Sequence, residues 1–346
     1  MKNLGYFCNI SNNRITIMKR WFLLTLSVLW LCAGCEKADV QDGTVYGKIE
    51  MINACEESIE IGRLYLESGT KDVLTEEYWP EFYASKVERG EDLELDYIDN
   101  LGFSIESTKC GGHTVYTFGS KDYDMIILYL HGGAYCNNAS ELHFTACNDI
   151  ASMDGHIKVV LPIYPLTPQH TWEETFNLLD ELYTSLLKEG KKIVIMGDSA
   201  GGGLACAFSQ HLHKTGKPVP SKRVLISPWL DVTFSDPEAY EVEPRDAMLS
   251  IYGLVQLGSI WNGSLDEKDY RISPLYGDLD DGIDTLITVG TSEIMMPDCT
   301  TLYNRLVANH CRTTIVYGLG LWHVFTIFNI PEGKEARVSI LKFIRQ

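Results

Sequence analysis

The pattern Gly-Asp-Ser-Ala-Gly at positions 197–201 is the feature that most constrains how this chain can fold. It follows the apolar run Ile193–Met196 and precedes the stretch Leu204–Phe208, which has a helix-like composition. A sharp turn from strand to helix strains its central residue, so the residues two positions away on either side must lack bulk. The start of the helix also directs backbone N–H groups toward the turn. The pattern therefore predicts that Ser199 is a nucleophile presented on such a turn.

A pair of adjacent glycines follows a second apolar run, Met125–Leu130, within the sequence His-Gly-Gly-Ala at positions 131–134. Glycines let the backbone approach a substrate oxygen closely and donate N–H bonds to it. Fixed donors of this kind stabilise the charge that develops on a carbonyl oxygen during acyl transfer, and losing one costs roughly 3–4 kcal/mol. We therefore predict an oxyanion hole formed by the N–H groups of Gly132, Gly133 and Ala200.

Together, the two motifs resemble those of the hormone-sensitive-lipase-like branch of the α/β-hydrolases. Shorter matches occur in the family's order: Tyr-Pro-Leu-Thr-Pro at 164–168, Ser-Pro-Trp-Leu-Asp at 227–231, Ser-Pro-Leu-Tyr at 273–276 and Trp-His-Val-Phe at 322–325. The resemblance covers roughly residues 100–345. It implies an α/β-hydrolase fold, with a mostly parallel central sheet, helices on both faces and a helical cap. It also implies a serine esterase that acts on short acyl chains without a cofactor.

The general base is expected near the C-terminus, because the chain order in this fold is serine, acid, histidine. Only His310 and His323 lie well after Ser199. His323 belongs to a glycine-rich stretch, residues 318–325, and a loop of this kind can carry an imidazole to the serine. His310 lies where we expect a helix to end. We therefore predict that His323 is the base.

The acid of the triad is expected after the apolar run Leu286–Gly290, where the resembling family usually has Gly-x-x-Asp-x-Leu. Positions 290–295 read Gly-Thr-Ser-Glu-Ile-Met, so Glu293 stands at the family's acid position with Glu in place of Asp. Glutamate can hold the imidazole tautomer and stabilise the imidazolium as aspartate does. Asp298 is the rival, although we expect it to cap the helix that follows. We predict Glu293 as the acid.

Apolar runs that alternate with helical patterns predict a largely parallel sheet covered on both faces. The central strands are expected at the runs 125–130, 157–161, 193–196, 223–227 and 286–290. We assign residues 61–346 to one hydrolase domain and residues 35–60 to a tether. Residues 61–100 are expected to contribute to the cap that the resemblance implies, and the long insertion 231–284 to add to it.

The N-terminal region has the pattern of an export signal. Met18-Lys19-Arg20 precedes an uncharged, mostly apolar stretch, Trp21–Gly34. This stretch is shorter than the roughly 20 residues that span a bilayer, and it matches the apolar region of a secretory leader. Small residues before Cys35 resemble a bacterial lipoprotein signal, with lipid attached to Cys35 after cleavage. We therefore expect a leader over residues 1–34, in which residues 1–17 are either an extended start or lie upstream of the true start. We also expect a membrane-anchored lipoprotein, with a soluble periplasmic enzyme as the alternative.

The composition fits an exported acidic protein. The net charge of −18 argues against nucleic acid as a partner, and membrane attachment would have to come from the lipid. The seven cysteines after Cys35 lack metal-ligand spacing, so we predict no metal site. Cys136 and Cys147 are candidates for a disulfide, which the sequence leaves open.

These patterns lead us to expect a carboxylic-ester hydrolase that forms an acyl-enzyme at Ser199 and acts on a small-molecule ester. Two alternatives stay open. A serine peptidase or amidase would use the same triad, although no substrate-gating domain precedes the hydrolase region. A non-catalytic binding module on a hydrolase scaffold would normally have lost the serine, the histidine or the oxyanion glycines.

Overall fold

A nine-stranded sheet runs through the part of the chain that the computed structural model describes, residues 45–90, 95 and 97–346. Its order is β1-β9-β8-β7-β6-β4-β5-β3-β2. Neighbouring pairs from β5 through β4, β6, β7 and β8 to β9 are parallel, whereas β3 pairs antiparallel with both β5 and β2. The strands are β1 Gly47–Asn53, β2 Glu106–Cys110, β3 His113–Gly119, β4 Met125–Leu130, β5 Ile157–Pro162, β6 Lys192–Asp198, β7 Lys222–Ile226, β8 Thr285–Gly290 and β9 Thr313–Leu319.

Helices connect the parallel strands. In the described part of the chain they are α1 Glu56–Glu67, α2 Trp79–Arg89, α3 Glu141–Met153, α4 Trp172–Leu187, α5 Ser199–Lys214, α6 Pro237–Val242, α7 Ile251–Trp261, α8 Met296–Ala308 and α9 Pro331–Arg345. The predicted fold class, a mostly parallel α/β sheet covered by helices, is confirmed.

Five of the six parallel strands, β4 to β8, coincide with the predicted apolar runs, whereas β9 was not predicted. All six residues of β4 and all six of β8 are buried, as expected for strands covered on both faces. Such strands consist of continuous apolar residues and do not alternate, which is why their positions could be predicted from the sequence.

The carboxyl ends of the parallel strands lie at one edge of the sheet, where sites in open α/β folds are found. Leu130 at the end of β4 pairs with Gly197 on β6. The glycine loop that follows β4 and the serine that follows β6 are therefore neighbours. The loops after β8 and β9, which carry Glu293 and His323, begin at the same edge.

The predicted tether over residues 35–60 is corrected within the described range. Residues 47–53 form β1, which pairs with β9 at the edge of the sheet, and α1 begins at Glu56. The start of α1 is attached to α9, because Glu332 on α9 accepts hydrogen bonds from Cys55 N (2.5 Å) and Ser58 Oγ (2.7 Å). Folded residues therefore begin well before position 61.

The two segments expected to form a cap contact each other. Lys71 Nζ donates a hydrogen bond of 2.9 Å to the carbonyl oxygen of Glu243. Leu74 packs so closely on α7 that a Cβ atom at Gly253 would lie 2.6 Å from the Leu74 carbonyl oxygen. The segments thus pack together outside the sheet, and their role as a cap over the site stays a prediction.

None of the cysteines in the described region is bonded to another. The candidate disulfide between Cys136 and Cys147 is not formed, and both side chains are buried as free thiols. Burial raises the pKa of the Cys136 thiol to about 11, which keeps it protonated. These residues pack as small apolar groups.

Candidate active site

Ser199 is the first residue of α5 and has a φ of 53°, which is unusual for a residue other than glycine. The glycines on either side make this turn possible. A Cβ atom at Gly197 would lie 2.3 Å from the carbonyl oxygen of Gly201, and one at Gly201 would lie 2.1 Å from the carbonyl oxygen of Leu130. No larger residue fits at either position, which is the physical basis of the Gly-x-Ser-x-Gly pattern.

The predicted serine, acid and histidine come together in one hydrogen-bonded chain. His323 Nε2 lies 2.8 Å from Ser199 Oγ, and His323 Nδ1 lies 2.5 Å from Glu293 Oε2. Glu293 is fully buried, and His323 and Ser199 are 3% and 8% exposed. The histidine is therefore placed between a hydroxyl and a carboxylate, with water nearly excluded.

A second serine holds the acid in place. Ser227 Oγ donates to Glu293 Oε1 at 2.7 Å, and Gly290 N donates to the same oxygen at 2.6 Å. Ser227 Oγ also accepts a hydrogen bond of 3.0 Å from Val324 N, the residue after His323. The Glu293 carboxylate is thus fixed on both oxygens. The sequence analysis identified Ser227 only as part of a family match, without this role.

The electrostatic surroundings favour a charged His323. Burial alone would lower the pKa of this imidazole, but the charge and hydrogen bond of Glu293 outweigh burial and raise it above its usual value. The carboxylates of Asp246 and Asp198 act in the same direction. The site therefore stabilises the imidazolium that forms when His323 accepts a proton from a serine.

The glycine loop after β4 meets Ser199, but one of its amides is already in use. Gly132 N donates a hydrogen bond of 3.1 Å to Asp198 Oδ1. This corrects the prediction that the Gly132 amide would face an oxyanion, because an N–H group held by a buried carboxylate is not available to a substrate. A Cβ atom at Gly132 would lie 2.2 Å from Asp198 Oδ2, so the loop can approach this closely only with glycine here.

The other two predicted donors are Gly133, in the glycine loop, and Ala200, the residue after the serine. Gly133 has a φ of 116°, and a Cβ atom there would lie 2.5 Å from the carbonyl oxygen of Asn137. Ala200 is fully buried in the first turn of α5, where backbone N–H groups have no acceptor within the helix. The Ala200 amide can therefore donate to a substrate oxygen, and the role of the Gly133 amide stays a prediction.

Asp198 is the centre of a buried network that sequence reasoning missed. Besides Gly132 N, it accepts a hydrogen bond of 2.8 Å from Tyr129 Oη and lies 3.2 Å from His143 Nε2. His143 Nδ1 accepts from Ser140 N, so its proton is on the nitrogen that faces Asp198. Burial alone would raise the pKa of Asp198, but these partners hold it below its usual value. An ionised Asp198 thus fixes the glycine loop against the serine turn.

Asp298, the rival acid, makes no hydrogen bond to His323 within the described structure. It lies inside the first turn of α8, whose N-cap residue is Met295, so the expected capping role is also corrected. It is 5% exposed, and burial together with the nearby Asp231 and Asp236 raises the pKa of its carboxyl to about 8. In the structure, therefore, the carboxylate hydrogen-bonded to the His323 imidazole is that of Glu293 and not that of Asp298.

Neither a metal site nor a membrane-spanning helix is found among the described residues. No group of three or more histidine, cysteine or acidic side chains there has an arrangement that could hold a metal ion. Within the same residues, no helix combines the length and the apolar character needed to cross a bilayer. The predicted lipidation site, Cys35, lies outside the described residues.

Comparison with known proteins places these features in context. Residues 127–327 match the profile of the alpha/beta hydrolase fold. An esterase of Acinetobacter venetianus is 32% identical over 63% of this chain and 74% of its own length. An acetyl-hydrolase of Streptomyces hygroscopicus is 27% identical over 63% of this chain and 75% of its own. The crystal structure of EstE5 soaked with p-nitrophenyl butyrate superposes with a TM-score of 0.71 at 25% identity, over 84% of this chain and 98% of that one.

Proposed function

We propose that this chain, which belongs to the alpha/beta hydrolase fold family, cleaves short-chain carboxylic esters with Ser199 as nucleophile, His323 as general base and Glu293 as the acid of the triad. The family match and the similar proteins support the broader class, an esterase- or lipase-type hydrolase. The observation that carries the finer proposal is the continuous hydrogen-bonded chain from Ser199 Oγ through His323 to Glu293 Oε2.

Acylation follows from this geometry. His323 Nε2 is within hydrogen-bond distance of Ser199 Oγ and takes its proton as the oxygen attacks the ester carbonyl. Glu293 holds the other ring proton and stabilises the imidazolium. The N–H groups of Gly133 and Ala200 receive the carbonyl oxygen as it becomes negative. His323 then donates its proton to the leaving alcohol, which leaves an acyl-enzyme.

Deacylation repeats these steps with water in place of the serine. Neutral His323 takes a proton from water, the hydroxide attacks the acyl carbonyl, and the same two amides hold the oxyanion. His323 returns the proton to Ser199 Oγ when the carboxylic acid leaves. Each step requires a neutral His323 at its start, so activity falls as the pH drops through the raised pKa of this group.

Two observations support short acyl chains. The relatives include a protein named acetyl-hydrolase and a structure soaked with a butyrate ester. In this chain, bulky aromatic side chains pack together directly after the glycine loop, and we infer that they limit the room for an acyl chain. Tyr135 is fully buried and stacks on Trp261 at a centroid distance of 4.1 Å and on Trp229 at 5.5 Å.

A series of p-nitrophenyl esters tests the substrate class. We expect kcat/KM to be highest for acetate or butyrate and to fall steeply for octanoate and dodecanoate. Acetyl p-nitroanilide should be cleaved far more slowly than the acetate ester. A preference for octanoate or longer chains would refute the short-chain assignment, and faster cleavage of the anilide would indicate an amidase or peptidase.

We also propose that the protein is exported and anchored by lipid at Cys35. The uncharged stretch Trp21–Gly34 after Lys19-Arg20 supports this proposal. Several acyl chains are needed for firm anchoring, as bacterial lipoproteins carry, because a single chain binds marginally. The acidic residues after the site, Glu36, Asp39 and Asp42, would repel anionic lipids, so the lipid must supply the affinity.

Replacing Cys35 with serine tests the anchor. Cys35→Ser should release the enzyme from the membrane fraction or block leader processing, whereas the matched change Cys32→Ser should leave both unchanged. Cell fractionation and mass spectrometry of the N-terminus provide the measurement. An intact, unlipidated N-terminus upstream of Cys35 in a cytosolic protein would contradict export, and cleavage nearby without lipid would indicate a soluble periplasmic enzyme.

A further inference from the structure

Asp246 is a fully buried acidic residue that the mechanism above does not use. It lies in the segment 231–284, directly after the short helical turn Glu243–Arg245 and before α7. Its Oδ1 atom accepts hydrogen bonds of 2.9 Å from Met248 N and from Leu249 N. These two bonds fix the orientation of the carboxylate within its own segment.

The other oxygen of Asp246 reaches the loop that carries the triad acid. Asp246 Oδ2 accepts a hydrogen bond of 2.9 Å from Ile294 N, the amide directly after Glu293. The side chain of Glu293 is held by Ser227 and Gly290, whereas its following peptide is held by Asp246. Segment 231–284 therefore contributes directly to the position of the triad acid.

Asp246 also acts on the triad through its charge. The charged or titratable groups that face it are His323 and Glu293 from the two catalytic loops and Arg245 from its own segment. Burial raises the pKa of the Asp246 carboxyl to about 6, although His323 opposes this effect. At neutral pH the residue is ionised, so it places a second negative charge near the imidazole that Glu293 already contacts.

We propose that Asp246 is a positioning residue for ester hydrolysis: it holds the peptide after Glu293 so that Glu293 stays on His323, and its charge favours the imidazolium. This inference depends on the proposed function of Ser199, His323 and Glu293. The substitution Asp246→Asn tests it, because the amide has the same shape, has no charge and offers an acceptor on one side only. Its NH₂ group must then face either Ile294 N or the amides of Met248 and Leu249.

The comparison uses Asp246→Asn, a matched control and the wild-type protein. Asp231 is the control, since it is a fully buried aspartate in the same segment. It is hydrogen-bonded by Thr233, Ser235 and Tyr276, and among the described residues it has no hydrogen bond to Glu293 or His323. For each protein, kcat and KM for p-nitrophenyl acetate are measured across pH, per active site titrated with an organophosphonate. Thermal unfolding is recorded in parallel.

We expect Asp246→Asn to lower kcat about 10²-fold with little change in KM, as a misplaced catalytic group does. The acid limb of its pH profile should move to lower pH, because His323 loses a charge that raises its pKa. Asp231→Asn should lower thermal stability and leave the acid limb in place. An unchanged kcat and acid limb in Asp246→Asn, or an equal shift in Asp231→Asn, would overturn the proposal.

If Asp246→Asn does not fold, Asp246→Ser is the second variant, since its smaller hydroxyl can still accept from one amide. Failure of both variants to fold would assign Asp246 to folding alone and also overturn the proposal. Ser199→Ala separates the proposed function from the proposed role of Asp246. Activity in that variant contradicts the proposed function, whereas an inactive Ser199→Ala beside a normal Asp246→Asn contradicts only the role of Asp246.

Discussion

Ser199→Ala should reduce ester hydrolysis by about 10⁴-fold or more while the protein stays folded. The alanine lacks the oxygen that attacks the ester, and no other hydroxyl in the described structure is hydrogen-bonded to His323 Nε2. The backbone cost of the left-handed turn is already present with serine at this position, so alanine adds little strain. Hydrolysis of p-nitrophenyl acetate and thermal unfolding of the purified variant provide the measurement.

Ser209→Ala is the matched control for this change. Ser209 is also fully buried on α5, but its Oγ donates to the carbonyl oxygen of Ala205 at 2.7 Å and does not contact the triad. It should keep nearly full activity and should still be labelled by an organophosphonate at Ser199. His323→Ala should be impaired as severely as Ser199→Ala, because triad members act as a unit. Full activity in Ser199→Ala would contradict the mechanism.

The features that the sequence predicted are those set by local physical demands. The glycines around Ser199 are required by a turn that brings Cβ positions within 2.3 Å of backbone oxygens. The central strands are buried on both faces and therefore appear as continuous apolar runs. Glu293 follows one of these strands, β8, and His323 follows its parallel neighbour β9, so the two residues meet at one edge of the sheet.

The features that the sequence did not predict depend on contacts between distant parts of the chain. β1 lies within the predicted tether. Only Ile52 in this edge strand is buried, so its sequence has no clear pattern. Asp246 and His143 carry no motif, and each reaches the site only through tertiary packing. The hydrogen bond from the Gly132 amide to Asp198 likewise depends on tertiary packing, and both glycines of the loop look equivalent in the sequence.

Glu293→Gln should reduce turnover by up to about 10⁴-fold, the loss typical of a triad whose acid becomes an amide. Glu293 Oε1 accepts from Ser227 Oγ and Gly290 N, so the amide oxygen of glutamine is best placed there. Its NH₂ group would then face His323 Nδ1 and force the ring proton onto Nε2. A histidine with its proton on Nε2 cannot accept the proton of Ser199.

Three companion measurements separate this role from a loss of stability. Asp298→Asn should keep most of the activity, because Asp298 is a buried carboxyl with a pKa of about 8 and no hydrogen bond to His323. Glu293→Asp should retain intermediate activity, since it keeps the charge but is one methylene shorter. The residual activity of Glu293→Gln should have its acid limb at lower pH, because the charge that most strongly raises the pKa of His323 is gone. A larger loss in Asp298→Asn than in Glu293→Gln would make Asp298 the acid, and the hydrogen bond between Glu293 and His323 would then be structural.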